Sequence, residues 1–232
     1  NRKNTKEDTF YIGPFIGYHK EIYFDRDEGV DKVLGGTNAS TLYNYVGVGI
    51  EAEYKNRTTV LPYGLKAEIE KRSYDDPGGS PAQDHLYYAV GGDVDFVIAR
   101  PLKLNLSYTY SVRDYDERHA RRLDTTFSAT TLKYTYHEIG ASLRNKLANW
   151  LVAYLDYDLT LRTDEYVGYN DYTKNSYRIR IITREGKGTK LQAWLTYWDR
   201  TYPNAVAFDA QTVPAQPRKE YDGIEAKVKG DF

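Results

Sequence analysis

The residues of this chain with the clearest chemical potential are acidic pairs spaced two positions apart. Four such pairs lie within predicted strands, namely Glu51/Glu53, Glu68/Glu70, Asp93/Asp95 and Asp156/Asp158. Residues i and i+2 of a β-strand point to the same face, so each pair would present two carboxylates side by side. Paired carboxylates serve general acid–base catalysis in an enzyme cleft, and rings or walls of charge set selectivity in a pore.

A basic counterpart lies later in the chain. Arg178, Arg180 and Arg184 share one parity and follow the Asp156/Asp158 pair by one predicted strand. We expect one face with an acidic wall and a basic wall. The predicted lumen-lining set is Glu51, Glu53, Lys66, Glu68, Glu70, Asp93, Asp95, Lys103, Arg113, Asp156, Asp158, Arg162, Arg178, Arg180, Arg184, Glu225 and Lys227. Either these charges pair in a packed interior, since unpaired buried charge is costly, or they line a narrow aqueous channel.

The elements that would position these residues are strands. Apolar residues alternate with polar ones over Leu102–Arg113, over Leu151–Arg162 and over Leu86–Ile98. Such period-two alternation predicts two-faced β-strands. We predict ten strands, with an uncertainty of two, centred on residues 10–23, 41–55, 60–72, 86–99, 102–113, 131–144, 150–163, 176–184, 190–200 and 221–232.

The predicted connections alternate between long and short. The long ones cover residues 24–40, 73–85, 114–130, 164–175 and 201–220, and the short ones cover 56–59, 100–101, 145–149 and 185–189. Long loops on one side and tight turns on the other are typical of outer-membrane barrels. We therefore predict an all-β fold, an antiparallel up-and-down transmembrane barrel over residues 10–232, preceded by a polar tail or tether over residues 1–9.

Composition narrows the function classes. The net charge of −1 gives no bulk attraction to nucleic acid, and 41% hydrophobic with 15% aromatic residues argues against disorder. The chain has no cysteine, which excludes disulfides and thiolate metal sites. Its 24 tyrosines gather toward the ends of the predicted strands, as in the aromatic girdles of membrane barrels. We assign to these girdles Tyr43, Tyr45, Tyr54, Tyr63, Tyr74, Tyr87, Tyr88, Tyr108, Tyr110, Trp150, Tyr197 and Trp198.

The last predicted strand carries a family resemblance. Ile224, Ala226, Val228, Gly230 and Phe232 occupy one face, and the residues between them are charged. An alternating final strand that ends on Phe resembles the C-terminal assembly signal of Gram-negative outer-membrane β-barrel proteins. The resemblance implies location in the bacterial outer membrane, with lipid and lipopolysaccharide as partners and other envelope proteins as further candidates. No motif points to one particular family of such barrels.

Two segments depart from the pattern. The apolar parity changes within residues 131–144, so we expect a bulge near His137–Glu138. Trp194 and Trp198 share parity with polar neighbours and would point inward unless a second bulge intervenes.

Catalytic and binding alternatives lie in the predicted loops. Asp114, Asp116 and His119 resemble the acids and histidine of the omptin proteases. The segment around them, residues 113–119, carries acids and bases in balance, which is also typical of a solvated loop. No serine stands at a convincing spacing from a histidine for lipid A modification, and the four histidines are isolated from one another. We expect no catalytic residue, metal or cofactor. The candidate residues for binding lipopolysaccharide phosphates are Arg118, Arg121 and Arg122.

The long connection 201–220 is a further candidate, as a plug or as a docking surface. It contains three prolines and several apolar residues, among them Tyr202, Val206, Phe208 and Val213. The leading functional hypothesis is a narrow channel or passive pore for small polar solutes or ions. A non-conducting structural or adhesive barrel that anchors a larger surface or export assembly is the alternative. The chain would in a third case be the barrel end of a longer export protein, and a soluble β protein is the competing fold.

Overall fold

The fold is described by a computed structural model that covers residues 8–19, 45–57, 60–74, 83–124, 126–185, 189–206 and 218–231. The strands are β1 (Thr9–His19), β2 (Tyr45–Asn56), β3 (Tyr63–Tyr74), β4 (His85–Ala99), β5 (Leu102–Arg121), β6 (Phe127–Lys146), β7 (Leu151–Asp164), β8 (Tyr172–Glu185), β9 (Thr189–Val206) and β10 (Arg218–Asp231). They form one sheet of ten strands in sequence order.

Every strand pairs antiparallel with the next in the chain, which confirms the predicted all-β, up-and-down order. Short connections join β2 to β3, β4 to β5, β6 to β7 and β8 to β9 at one end of the sheet, here called the turn end. The opposite end is the loop end. In the described residues β1 and β10 pair only with β2 and β9, so they form the two edges of the sheet.

The register gives the sheet one apolar face and one charged face. A continuous apolar row crosses six strands through Phe96, Leu104, Leu143, Leu155, Ile179 and Leu195. The neighbouring row on the other face runs through Asp95, Asn105, Ser142, Asp156, Arg178 and Thr196. Because side chains alternate between faces, the in-phase pairing of neighbours keeps each face uniform across the sheet.

Many large side chains of the apolar face are exposed. Leu155, Ile179 and Val228 expose 55%, 54% and 73% of their surface, whereas Asp156 on the charged face exposes 7%. In a sheet with a dry apolar core the buried face would be the apolar one, so the polarity of this sheet is inverted.

Strands β5 and β6 are longer than predicted. Each has 20 residues, and only a short turn near residues 122–126 separates them. The predicted long connection over 114–130 is therefore wrong. Register shifts between Asp114 and His119 and between His119 and Arg121 interrupt the alternation, so no period-two signal marked this stretch as strand.

The bulge expected at His137–Glu138 is also wrong. Pairing of β6 with β5 and with β7 is continuous through both residues. Instead, the two faces exchange character at the loop end of β6. Leu132, Tyr134 and Tyr136 lie on the charged face, where they are buried, and the residues between them, Lys133 and Thr135, lie on the apolar face.

Two other expectations have clear outcomes. Pairing of β9 is unbroken past Trp194 and Trp198, so both indoles lie on the charged face. Residues 1–7 of the predicted tail over residues 1–9, the long connection 24–40 and the terminal Phe232 lie outside the described residues, as do 75–82 and 207–217, whereas Thr9 is the first residue of β1. The described part of the chain contains no helix of the length and apolar character that a membrane crossing needs.

Candidate functional site: the charged face

The register places all seventeen predicted lumen residues on the charged face. Glu51 lies opposite Glu68, Glu53 lies opposite Lys66, and Arg184 lies opposite Lys190 at the turn end. Acids dominate β2–β4, which supply Glu51, Glu53, Glu68, Glu70, Asp93 and Asp95. Bases dominate β8, which supplies Lys174, Arg178, Arg180 and Arg184. The sequence thus predicted which residues share a face; that this face lines a lumen stays a prediction.

Ion pairs in the acidic half are local. Glu53 pairs with Lys55 and Glu70 pairs with Arg72, each at 2.5 Å, and Glu68 pairs with Lys66 at 3.6 Å. In all three the base is two residues away on the same strand, and among the described residues no cation of a neighbouring strand lies within 4 Å of these acids. A cavity of about 330 Å³ opens beside these residues and spans β2 to β6. Its lining includes four acids and a single base, namely Glu53, Glu68, Asp93, Glu138 and Lys66.

The basic half carries fewer ion pairs. Among the described side chains of β7–β9, the only pair within 4 Å joins Arg180 Nη2 to Asp156 Oδ2 at 3.6 Å. Ser142 donates a hydrogen bond to Asp156 Oδ1 at 2.5 Å, and Arg178 donates from Nε to Thr196 Oγ1 at 3.3 Å. A second cavity, of about 250 Å³, opens here between β5 and β8.

An aromatic belt crosses the loop end of the charged face. Ring centroids 4.9–6.2 Å apart link Tyr45, Tyr74, His85, Tyr115, Tyr134 and Tyr136 in turn. Tyr172, Tyr202 and Tyr221 continue it on β8–β10, with centroids 5.5 and 6.1 Å apart. Arg162 bridges the two parts, since its Cζ lies 4.3 Å from the ring centroids of both Tyr134 and Tyr172. Cation–π contacts of this kind stabilise a guanidinium away from bulk water.

Much of the belt is buried and packed. Tyr115, Tyr134 and Tyr136 form a small core with Leu132 and Ala120. His85 is 1% exposed, and its Nδ1 lies 2.8 Å from the carbonyl oxygen of Gln83. This cluster narrows the loop end of the charged face, and sequence analysis did not find it. The available signal was that Tyr134 and Tyr136 lie on the same face as Arg162 once β6 is paired with β7.

The belt corrects part of the predicted girdle. Tyr45, Tyr74, Tyr87 and Trp198 lie on the charged face, so their assignment to an apolar girdle is wrong. Strand-end position alone could not separate the two faces, because tyrosine suits either. Tyr54, Tyr63, Tyr88, Tyr108, Tyr110 and Tyr197 do lie on the apolar face. Trp150, in the β6–β7 turn, is 56% exposed, and Tyr43 lies outside the described residues.

The arginines predicted as loop ligands lie mostly in a strand. Arg118 and Arg121 belong to β5, and Arg122 follows directly. Arg118 donates to Gln83 Oε1 at 3.0 Å and lies over the Tyr115 ring, and Arg121 lies over Phe127. Asp114, Asp116 and His119 also belong to β5, where Asp116 pairs with Lys71.

The loop that joins β7 to β8 is ordered by hydrogen bonds. Gly168 has φ of 72°, a left-handed conformation that favours glycine. The Asp164 amide donates to Asp171 Oδ1 at 2.6 Å, and Asn204 donates to the carbonyl of Gly168 at 2.9 Å. Burial raises the pKa of the Asp171 carboxyl above its ordinary range, and the hydrogen bond from the Asp164 amide opposes that shift.

The comparisons add no relative from which a function could be carried over. Among the described residues, no three His, Asp or Glu side chains come together in an arrangement that would hold a metal ion. No protein-family model, curated protein or solved structure matches the chain.

Proposed function

We propose that this chain forms the membrane-spanning wall of a Gram-negative outer-membrane β-barrel, and that its charged face lines a narrow passage for small polar solutes or ions. The observation that carries the proposal is the inverted polarity of the sheet. Leu155 and Ile179 are more than half exposed, while Asp156 and Glu70 are buried behind them. Acyl chains could cover the exposed apolar face without leaving polar groups unsatisfied. Neighbouring strands pair their backbone N–H and C=O groups throughout the stretches Leu102–Val112 and Leu151–Leu161.

The height of the apolar face supports a bilayer. Leu102 to Val112 on β5 and Leu151 to Leu161 on β7 are eleven-residue stretches with apolar residues at every second position. At about 3.3 Å per residue each covers about 36 Å along the strand. A strand tilt of about 40° turns this into a height of about 28 Å, close to the ~25 Å apolar band of outer-membrane barrels.

A polar boundary on the apolar face gives further support. The rings of Tyr157, Tyr177 and Tyr197 form a cross-strand ladder with centroid distances of 5.2 and 6.3 Å. Tyr157 donates to Asn175 Oδ1 at 3.0 Å, and Asn175 donates to Asp199 at 2.9 Å, one residue pair nearer the loop end. Tyrosine rings below a row of amide and carboxylate groups suit an interface between acyl chains and headgroups, including those of lipopolysaccharide.

Closure of the barrel is part of the proposal. With ten strands in up-and-down order, β1 and β10 run antiparallel, as every neighbouring pair does. Phe10, Ile12 and Ile16 on β1 and Ile224 and Val228 on β10 all belong to the apolar face and are highly exposed. Joining the two edges would continue both faces and would pair the backbone groups that an open edge leaves unpaired.

A passage needs water beside the charges. Cavities of about 330, 250 and 420 Å³ lie on the charged face, and their charged linings suit a hydrated space. The alternative, a non-conducting barrel that anchors a surface or export assembly, is favoured by the aromatic belt, which packs the loop end with buried side chains. Conductance decides between the two.

The test begins with refolding of the whole chain in detergent and in vesicles of outer-membrane lipid. A folded barrel is expected to migrate differently in gels before and after boiling, and then to give discrete current steps in a planar bilayer. A chain that stays monomeric and folded in water without detergent would overturn the membrane assignment. A heat-modifiable chain that gives no current would instead support the non-conducting alternative.

A further inference from the structure

The cavity between β5 and β8 brings two acids and two bases together. Asp156 and Asp158 lie two residues apart on β7, and Arg178 and Arg180 lie two residues apart on β8. Asp156 is directly opposite Arg178 in the register. All four side chains line the same cavity of about 250 Å³, with Asn105 and Ser142 beside them.

Two of these four side chains have a buried polar atom without a hydrogen-bond partner among the described residues. Asp156 is 7% exposed, and its Oδ2 has no hydrogen-bond partner in the described structure, since the nearest Arg180 nitrogen is 3.6 Å away. The buried Nε of Arg180 also has no partner there. A buried carboxylate oxygen and a buried guanidinium N–H without partners are costly, so a group that satisfies both at once would bind favourably.

The side chain of Arg180 is positioned by aromatic neighbours. Its Cζ lies 4.1 Å from the centroid of the Tyr154 ring, and Trp194 is its direct neighbour on β9. On Arg178, the hydrogen bond from Nε to Thr196 Oγ1 holds the side chain and does not use the terminal nitrogens. Side chains that are ordered before binding lose less entropy when a ligand arrives.

The combination selects a class of ligand. Guanidinium forks match carboxylates in a bidentate fashion, and carboxylates accept hydrogen bonds from an ammonium group. Two acids and two bases carry no net charge together, so the cavity favours a dipolar solute over a simple ion. We propose that this cavity is a binding site for small zwitterions of the α-amino acid type, an inference that rests on the proposed passage. The ligand carboxylate would bind Arg178 and Arg180, and its ammonium group would bind Asp156 and Asp158.

The test uses four solutes of nearly equal size: serine, glycerate, serinol and glycerol. Glycerate lacks the ammonium of serine, serinol lacks the carboxylate, and glycerol lacks both. Uptake is followed by swelling of vesicles that contain the refolded protein. Binding is followed separately by saturation-transfer NMR on the folded protein in detergent, which needs no open passage. We expect serine to give the strongest NMR signal and the fastest swelling of the four.

Paired variants assign the two ends of the ligand. Arg178→Gln with Arg180→Gln is expected to lower serine binding to the level of serinol, and Asp156→Asn with Asp158→Asn to the level of glycerate, each a loss of at least about tenfold. Asp124→Asn, in the turn between β5 and β6 and outside the charged face, is the control and should leave the preference unchanged. If a double variant fails to fold, the single variants Arg178→Gln and Asp158→Asn take its place.

The outcomes separate this inference from the proposed passage. Equal NMR signals for all four solutes would overturn the zwitterion site, and equal swelling rates beside them would leave the passage standing. A serine signal that depends on the arginines, in vesicles that no solute swells, would support the site and overturn the passage. A serine preference that survives both double variants would place the binding elsewhere and so overturn the inference.

Discussion

Asp156 lies directly opposite Arg178 across β7 and β8, yet the arginine that reaches its carboxylate is Arg180, one residue pair further along the same face. Arg178 turns instead to Thr196 on β9. Each base therefore contacts a different neighbour. Ser142, Asp156 and Arg180 form one set of contacts across β6–β8, and Arg178 and Thr196 form a separate pair across β8 and β9.

Asp156 is expected to matter more for stability than Asp158. Replacing Asp156 by Ala removes the partner of Ser142 and leaves Arg180 without a carboxylate, which should lower the free energy of unfolding by about 1–3 kcal/mol. Urea unfolding in lipid vesicles, followed by tryptophan fluorescence, measures it. Asp158→Ala, at a more exposed position with no ion pair among the described residues, should cost less than about 0.5 kcal/mol. Equal losses for the two variants would contradict the prediction.

A charge on the apolar face tests the orientation of the sheet. Ile179→Arg places a guanidinium where acyl chains are proposed, and should cost about 2–4 kcal/mol of folding free energy in a bilayer. The same position on a water-exposed surface would tolerate arginine within about 0.5 kcal/mol. Refolding yields into vesicles, compared with Gln192→Arg on the charged face, give the measurement. A similar yield for both variants would mean that Ile179 does not face lipid.

Two glycines on neighbouring strands should respond differently to alanine. A Cβ at Gly49 would lie 2.3 Å from the carbonyl oxygen of Ile69 and 2.8 Å from Cζ of Phe15, so β3 would have to move. We expect Gly49→Ala to cost about 1–3 kcal/mol by overpacking. A Cβ at Gly17 meets no described atom within 4 Å, so Gly17→Ala should be neutral or stabilise by up to about 1 kcal/mol. Denaturant midpoints of the two variants in the same vesicles provide the comparison.

The loop between β7 and β8 should lose stability as pH rises. The folded loop holds the proton on Asp171 more tightly than the unfolded chain does, because burial raises its pKa. The stabilising effect of that proton is therefore complete below the ordinary carboxyl range of about pH 4 and is lost as pH rises through the raised value. Hydrogen exchange over residues 164–172, corrected for intrinsic rates, follows this loss. Asp171→Asn keeps an oxygen for the Asp164 amide and should remove the pH dependence.

Alternation predicted most of the fold because it follows from the pleat of a strand. Leu102 to Val112 fixed β5 over its first half, and the same logic placed every predicted charge on one face. It failed beyond Asp114, where register shifts break the period. It also failed at Tyr134 and Tyr136, where apolar rings belong to the charged face. Periodicity shows which residues share a face, but only tertiary packing decides what that face contacts.

The candidate site was predictable in membership and not in contacts. The i, i+2 spacing brought Asp156 and Asp158 to one face. Nothing in the spacing indicated that Arg180, held over Tyr154, would be the partner of Asp156. Such diagonal contacts depend on rotamers and on the twist between strands, which a single sequence does not specify.

The exchange of character at the loop end of β6 would also set the depth of the proposed barrel in its bilayer. On the apolar face of β6, Thr135 and His137 are followed directly by Ile139, which pairs with Leu159 on β7. A shift of the proposed barrel by one row would either bring polar side chains such as His137 among the acyl chains or expose Ile139 and Leu159 to water. The side chains would thus fix the vertical position. In membranes of different thickness, the surrounding lipid would have to stretch or compress to match the protein.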